Sequence, residues 1–179
     1  MANDPAPTAG RRGFLKTATV LIGGAIGAVL AVPIVRYIGF PVGKRTVVGG
    51  DVPVPVADEN AVKAGAPPLR VQVRAPEQRD AWSKVVDVPL GAAWLTRAQD
   101  GQVRALSATC PHLGCAVDFD PAANQFRCPC HTSAFGPDGK RISGPAKRDM
   151  DALDCHLEAG KVMVKFEHFK QDVAEKEKA

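Results

Sequence analysis

An excess of charge of one sign is almost missing from the bulk of this 179-residue chain. Lysine and arginine total 23 against 19 acidic residues, a formal net charge of +4. Residues 1–40 hold a net +3 of that, which leaves +1 for residues 41–179. The basic balance belongs to the N-terminal segment, so a nucleic-acid partner is not expected. Beyond residue 60 a helical hydrophobic period of useful length is also absent, which excludes a helix bundle and leaves short β runs between turn residues. Missing too is a convincing A-x-A cleavage site with a polar start after the apolar N-terminal stretch, so that stretch is expected to stay attached. Histidine and cysteine are sparse, at four and five.

Two of those histidines and four of those cysteines fall into two short runs. The first is Cys110-Pro111-His112-Leu113-Gly114-Cys115, and after a twelve-residue spacer comes Cys128-Pro129-Cys130-His131-Thr132-Ser133. Each run offers one thiolate and one imidazole at ligand spacing, Cys110 with His112 and Cys128 with His131. The pattern reads as a Rieske 2Fe-2S site, in which two thiolates hold one iron and two imidazoles the other. Zinc also takes mixed thiolate and imidazole sets, but it leaves Cys115 and Cys130 unexplained. A disulfide scaffold alone accounts for paired cysteines and not for a histidine beside one cysteine of each pair.

With 45% hydrophobic residues the chain has room for one ordinary domain plus an appendage. Residues 17–35 are nineteen in a row without a charge; as a helix they span about 28 Å, close to a bilayer core of about 30 Å. A buried soluble helix seldom stays apolar on every face for five turns. The expected organisation is a cytoplasmic segment at 1–16, a transmembrane anchor at 17–38 that Pro33 can kink, and a Gly- and Pro-rich linker at 39–68. Small residues at Gly23, Gly27 and Ala31 line one face of the anchor, where another helix could approach.

Arg11-Arg12-Gly13-Phe14-Leu15-Lys16 resembles a twin-arginine export signal; read simply as a basic flank, it gives the same orientation. Export of a folded domain suits a cluster assembled in the cytoplasm.

Strand-like runs follow at 70–74, 85–88, 93–97, 103–107, 125–128 and 162–166. Asp100-Gly101 and Ala159-Gly160 read as hairpin turns. The soluble part, 69–167, is expected to be an all-β domain of antiparallel strands with a loop-rich insertion near 108–145. Cys155 reads as a buried structural thiol in a strand. The charged stretch 168–179 is expected to fray or to dock on a partner.

Across essentially its whole length the chain resembles the Rieske iron-sulfur subunits of bacterial quinol to cytochrome c oxidoreductases, the cytochrome bc complexes. C-P-H-L-G-C and C-P-C-H-T-S carry the resemblance, with Gly144-Pro145-Ala146 where that family has a proline loop over its cluster. It implies a β sandwich whose smaller subdomain holds the 2Fe-2S cluster, Cys110 and Cys128 on the inner iron, His112 and His131 on the outer, and a Cys115 to Cys130 disulfide, which needs an oxidising compartment. It also implies a subunit of a dimeric oxidoreductase complex with a cytochrome b subunit, a c-type cytochrome subunit and quinol, either menaquinol or ubiquinol, as partners. The N-terminus would be cytoplasmic, the anchor in the lipid of the bacterial inner membrane, and the domain on the periplasmic side. An imidazole on a redox-active iron couples proton to electron uptake, which makes His131, and next to it His112, the quinol-facing ligand; the linker lets the head carry its electron to a distant haem. Ser133 would donate to a bridging sulfide, and Phe135 replaces a tyrosine common in high-potential members, a change that suits menaquinol. The arsenite oxidase small subunit, a soluble Rieske ferredoxin and a zinc-stapled binding module are the alternatives.

Overall fold

The computed structural model describes residues 9–44, 46, 50 and 52–179. Residues 1–8 of the expected cytoplasmic segment, and residues 45, 47–49 and 51 of the expected linker, lie outside them. The chain divides into two units, Met1–Lys44 and Arg45–Ala179.

Among the described residues the first unit is a helix, α1 (Ala9–Gly39), 31 residues long, followed by a turn. It begins before the expected anchor because Arg11, Arg12, Leu15 and Lys16 are good helix formers; the last charge marks where the apolar stretch starts, not where the helix does. Within it Gly10–Gly39 is long and apolar enough to cross a membrane, its most apolar 18 residues having a mean hydropathy of 2.3. At 1.5 Å per residue α1 spans about 46 Å, so its basic first turns exceed what a bilayer core of about 30 Å requires. Pro33 lies inside the helix and does not end it.

The second unit holds β1 (Val54–Asp58), a 3-10 turn at Glu59–Ala61, β2 (Leu69–Arg79), β3 (Lys84–Arg97), β4 (Val103–Ser107), β5 (Asp118–Asp120), β6 (Gln125–Arg127), β7 (Ala134–Phe135), β8 (Arg141–Ser143), β9 (Ala152–Glu158) and β10 (Lys161–Lys165). They form two antiparallel sheets, a base sheet ordered β1-β10-β9-β4-β3-β2 and a small sheet ordered β5-β6-β7-β8. The small sheet is inserted between β4 and β9, where the loop-rich insertion was expected. Both expected hairpin turns are present, with Gly101 at φ +84° and Ala159-Gly160 at +48° and +75°.

Period-two alternation along β3 and β4 joins the two cores. Ala93, Leu95 and Ala105 pack with Val73, Val162, Val164 and Phe166 in the base core. Trp94 and Leu106, facing the other way, pack with Val117, Phe126 and Phe135 under the small sheet. The buried Trp94 indole donates to the Val117 carbonyl at 2.9 Å, so the insertion hangs from β3 by packing and by a hydrogen bond.

Four expectations are corrected. The β domain starts at β1 rather than at residue 69, because the prolines that suggested linker, Pro53 and Pro55, lie before and within a strand hydrogen-bonded only to β10, and proline is tolerated on an edge. Runs 85–88 and 93–97 are one strand, the break between them being absorbed by a register shift opposite Val73 and Arg74. Cys155 is in a strand but only half-buried, its thiol donating to the Val103 carbonyl at 3.3 Å. The stretch 168–179 does not fray: Phe169 is 6% exposed in the base core and pairs with Lys178.

Candidate metal centre

The two ligand runs fold as near copies of one loop. Each starts at a buried cysteine followed by proline, and each closes when that cysteine's N–H donates to the carbonyl five residues on, Cys110 to Cys115 at 2.7 Å and Cys128 to Ser133 at 2.9 Å. Each takes a left-handed residue just before its end, Gly114 at φ +78° and Thr132 at +59°. Glycine accepts that conformation freely, whereas Thr132 is β-branched and adopts it at a cost of order 1–3 kcal/mol that the surrounding contacts must offset.

This fold sorts the side chains. Cys110 and Cys128 point into the second core, 0% and 2% exposed, with their thiols in hydrogen-bonding contact. His112 is half-buried and His131 exposed, and the two rings meet edge to face with centroids 4.8 Å apart. The sulfurs of Cys115, Cys128 and Cys130 lie within 4.8 Å of one another. Cys115 and Cys130 are joined in a disulfide and have no thiolate to give. What converges is therefore two buried thiols, two imidazoles and a staple tying the loops together.

An iron-sulfur cluster fits these residues. The His112 Nδ1 atom is buried and has no hydrogen-bond partner, a costly arrangement unless that nitrogen binds something. Burial pushes the Cys110 thiol up to about 11; the His112 N–H and the Ser133 hydroxyl, both donating to its sulfur, pull against that, and the adjacent Cys128 adds to it. At neutral pH such a thiol keeps its proton until a metal displaces it.

The second loop is braced by the chain around Gly144-Pro145-Ala146. At Gly144, with φ +91°, a side chain would meet the Ser133 nitrogen at 2.8 Å and the Thr132 carbonyl oxygen at 2.9 Å, so only glycine allows this approach. The Ala146 N–H donates to the Ser133 Oγ at 3.2 Å, which leaves that hydroxyl's own proton for the Cys110 sulfur. In this structure the Ser133 hydroxyl donates to the Cys110 sulfur. Phe135 is fully buried in the same core as Cys110 and Cys128; Pro145 is exposed. Sequence reasoning missed Trp94, which acts through packing and carries no motif; Thr132 and Ala146 stood inside the quoted runs but were given no role there, because they act through backbone conformation and a backbone N–H.

The Rieske [2Fe-2S] domain profile matches residues 53–162, starting at the corrected domain boundary. The iron-sulfur subunit of the cytochrome b6-f complex of Chlorobaculum tepidum is 36% identical over 167 residues, 86% of this chain and 74% of the relative. That of the menaquinol:cytochrome c reductase of Geobacillus thermodenitrificans is 30% identical over 156 residues, covering 85% and 88%. Among solved structures, the plasma membrane Rieske protein of Synechocystis PCC 6803 is 27% identical, with a TM-score of 0.47 over 63% of this chain and 99% of that one. With its twin cysteine-histidine loops, its stapled insertion and a profile match over most of its length, the chain belongs to the Rieske [2Fe-2S] family of iron-sulfur subunits.

Proposed function

We propose that this chain is the electron-transfer subunit of a bacterial quinol to cytochrome c reductase, taking an electron and a proton from quinol and passing the electron to a c-type cytochrome. The observation that carries the reading is the split ligand set, two buried thiols and two imidazoles reaching outward on stapled loops. Cys110 and Cys128 would hold one iron, and His112 and His131 the other. When bound, the 2Fe-2S cluster supplies one-electron chemistry, at a potential raised by neutral imidazole ligands.

The residues of the chain do the rest. His112 uses its buried Nδ1 as a ligand atom, so its other ring nitrogen is the one left for a proton. His131 is the more exposed imidazole and receives the quinol proton at its unligated nitrogen. Phe126 and Phe135, both 0% exposed, keep water away from the inner thiolates. Cytochrome b and c-type cytochrome subunits are the partners in a dimeric assembly. α1 is a single-pass anchor in the inner-membrane lipid with its basic end cytoplasmic, leaving the domain on the periplasmic side, where the disulfide persists. The test is quinol to cytochrome c reduction by membranes carrying the parent chain or His131→Ala: loss of turnover with the cytochromes still present supports the reading, and undiminished turnover sinks it.

Ser133 and Phe135 set the potential. A donor to a ligand sulfur stabilises the reduced cluster, whose charge is more negative, by on the order of 1–2 kcal/mol. At 59 mV per tenfold for one electron that is roughly 40–90 mV. Ser133→Ala is expected to lower the midpoint potential by about that amount and Phe135→Tyr to raise it similarly, a tuning consistent with menaquinol as donor to the parent. Film voltammetry of the full-length chain in detergent measures both, and an unmoved potential in Phe135→Tyr means the new hydroxyl does not reach a sulfur.

Arg11 and Arg12 act as a pair in export. Changing both to Lys keeps the positive flank but not the twin-arginine signal, and the cluster domain is expected to stay cytoplasmic. Protease accessibility in spheroplasts checks this, and an exported double-Lys variant would count against folded export.

A further inference from the structure

The second ligand loop is braced by Gly144 and Ala146, and the first loop has a brace of its own. We propose that residues 168–179 are a positioning strap for the first ligand loop, clamped by Arg148 and acting through the backbone N–H of Asp172. This rests on the ligand assignment above only in making His112 the group positioned.

The strap has little apolar surface to dock with, and its composition alone suggested a frayed end. It is held largely through main-chain atoms, its carbonyls accepting from side chains and one N–H donating to the first loop. The Arg148 side chain, 7% exposed, pairs bidentately with Asp151, 6% exposed, with both contacts at 2.9 Å. The same guanidinium donates to the Val173 and Lys170 carbonyls at 2.8 Å each. Five donors in a planar fork make arginine able to join two segments in this way. The Asp151 carbonyl in turn accepts from the Ser107 N–H at 2.8 Å, and the Ser107 Oγ accepts from the Thr109 N–H at 3.2 Å, one residue before Cys110.

So clamped, the strap touches the first loop on either side of His112-Leu113. The Asp172 N–H donates to the Pro111 carbonyl at 2.9 Å. The Gln171 amide lies where a side chain on Gly114 would meet it at 3.3 Å. Between Cys110, Thr109, Phe169 and Gln171 the free volume is about 20 Å³, little more than one water. Asp172 has φ +56°, a conformation that Asp tolerates better than most residues and that aims its N–H at Pro111. Its carboxylate adds a half-exposed pair with Lys147 at 3.1 Å, a contact of small energy.

Asp172 therefore separates backbone from side chain. Asp172→Pro removes the N–H and forbids the positive φ; Asp172→Gly keeps both and loses only the carboxylate. Hydrogen exchange of the full-length chain in detergent is expected to speed up about tenfold at residues 110–115 in the Pro variant, with residues 128–133 unchanged. Cluster release to a chelator should quicken similarly in that variant, and the Gly variant should match the parent in both measurements. A chain ended after Lys170, which keeps Phe169 in the core, should reproduce the Pro result, so the test stands even if Asp172→Pro folds poorly. Parent-like exchange at 110–115 in the shortened chain, or equal effects of Pro and Gly, would overturn the strap. The exchange readout does not depend on which residues ligate. Cluster retention in Cys110→Ser would overturn the ligand assignment and leave the strap standing.

Discussion

Purified with its cluster, the parent chain is expected to contain two irons and two labile sulfides, and Cys128→Ser is expected to contain almost none. The [2Fe-2S] family sets the stoichiometry, and the geometry sets the size of the loss. Cys128 is 2% exposed and sits beside a disulfide whose two sulfurs cannot replace it as thiolates. The serine hydroxyl gives up its proton far less readily than a thiol, so a drop in bound iron of about tenfold or more is expected. His131→Cys makes the complementary change. It keeps a ligand in place but exchanges a neutral one for an anionic one, which stabilises the oxidised state. A retained cluster should then lie lower in potential by on the order of several hundred mV. Iron and sulfide analysis with a redox titration decides both, and a colourless parent chain holding one zinc would refute the assignment.

The second large effect concerns the staple. Cys115→Ala or Cys130→Ala is expected to shed the cluster while the base sheet keeps its far-UV circular dichroism. The bond joins residues 15 apart, a closure worth on the order of 3 kcal/mol in chain entropy. That stabilisation falls on the two ligand loops, because the base core of Val73, Leu95, Val162 and Val164 contains neither cysteine. Thermal unfolding of the variants should thus lose cluster absorbance well before secondary structure. Coincident loss of both signals would mean that the insertion and the base sheet unfold as one unit, with the disulfide acting on the whole domain.

The chemistry was legible in sequence because ligation needs particular atoms at short spacing. Cys110, His112, Cys128 and His131 could be singled out from two six-residue runs, and a nineteen-residue stretch without charge identified the apolar helix. β4 was legible too, since its alternation is local. The ends of the domain were not. Pro53 and Pro55 look like linker until β10 is seen beside β1, because what makes an edge strand is its neighbour. The stretch 168–179 looks disordered by composition because its attachment runs through carbonyls, and every residue has one; only Phe169 signals burial, and a lone aromatic is a weak sign.

By itself, then, the sequence determined which atoms can bind iron, that the fold would be β, and that one segment is apolar enough for a membrane. Tertiary structure alone decided that His112 keeps a buried, partnerless nitrogen, that Ser133 points at Cys110 and that Asp172 holds Pro111. The physical reason is the range of each interaction: periodicity and ligand spacing are properties of adjacent residues, whereas the Ser133–Cys110 and Asp172–Pro111 contacts join residues 23 and 61 apart, and these approaches, like the burial of His112 Nδ1, depend on the base sheet having folded.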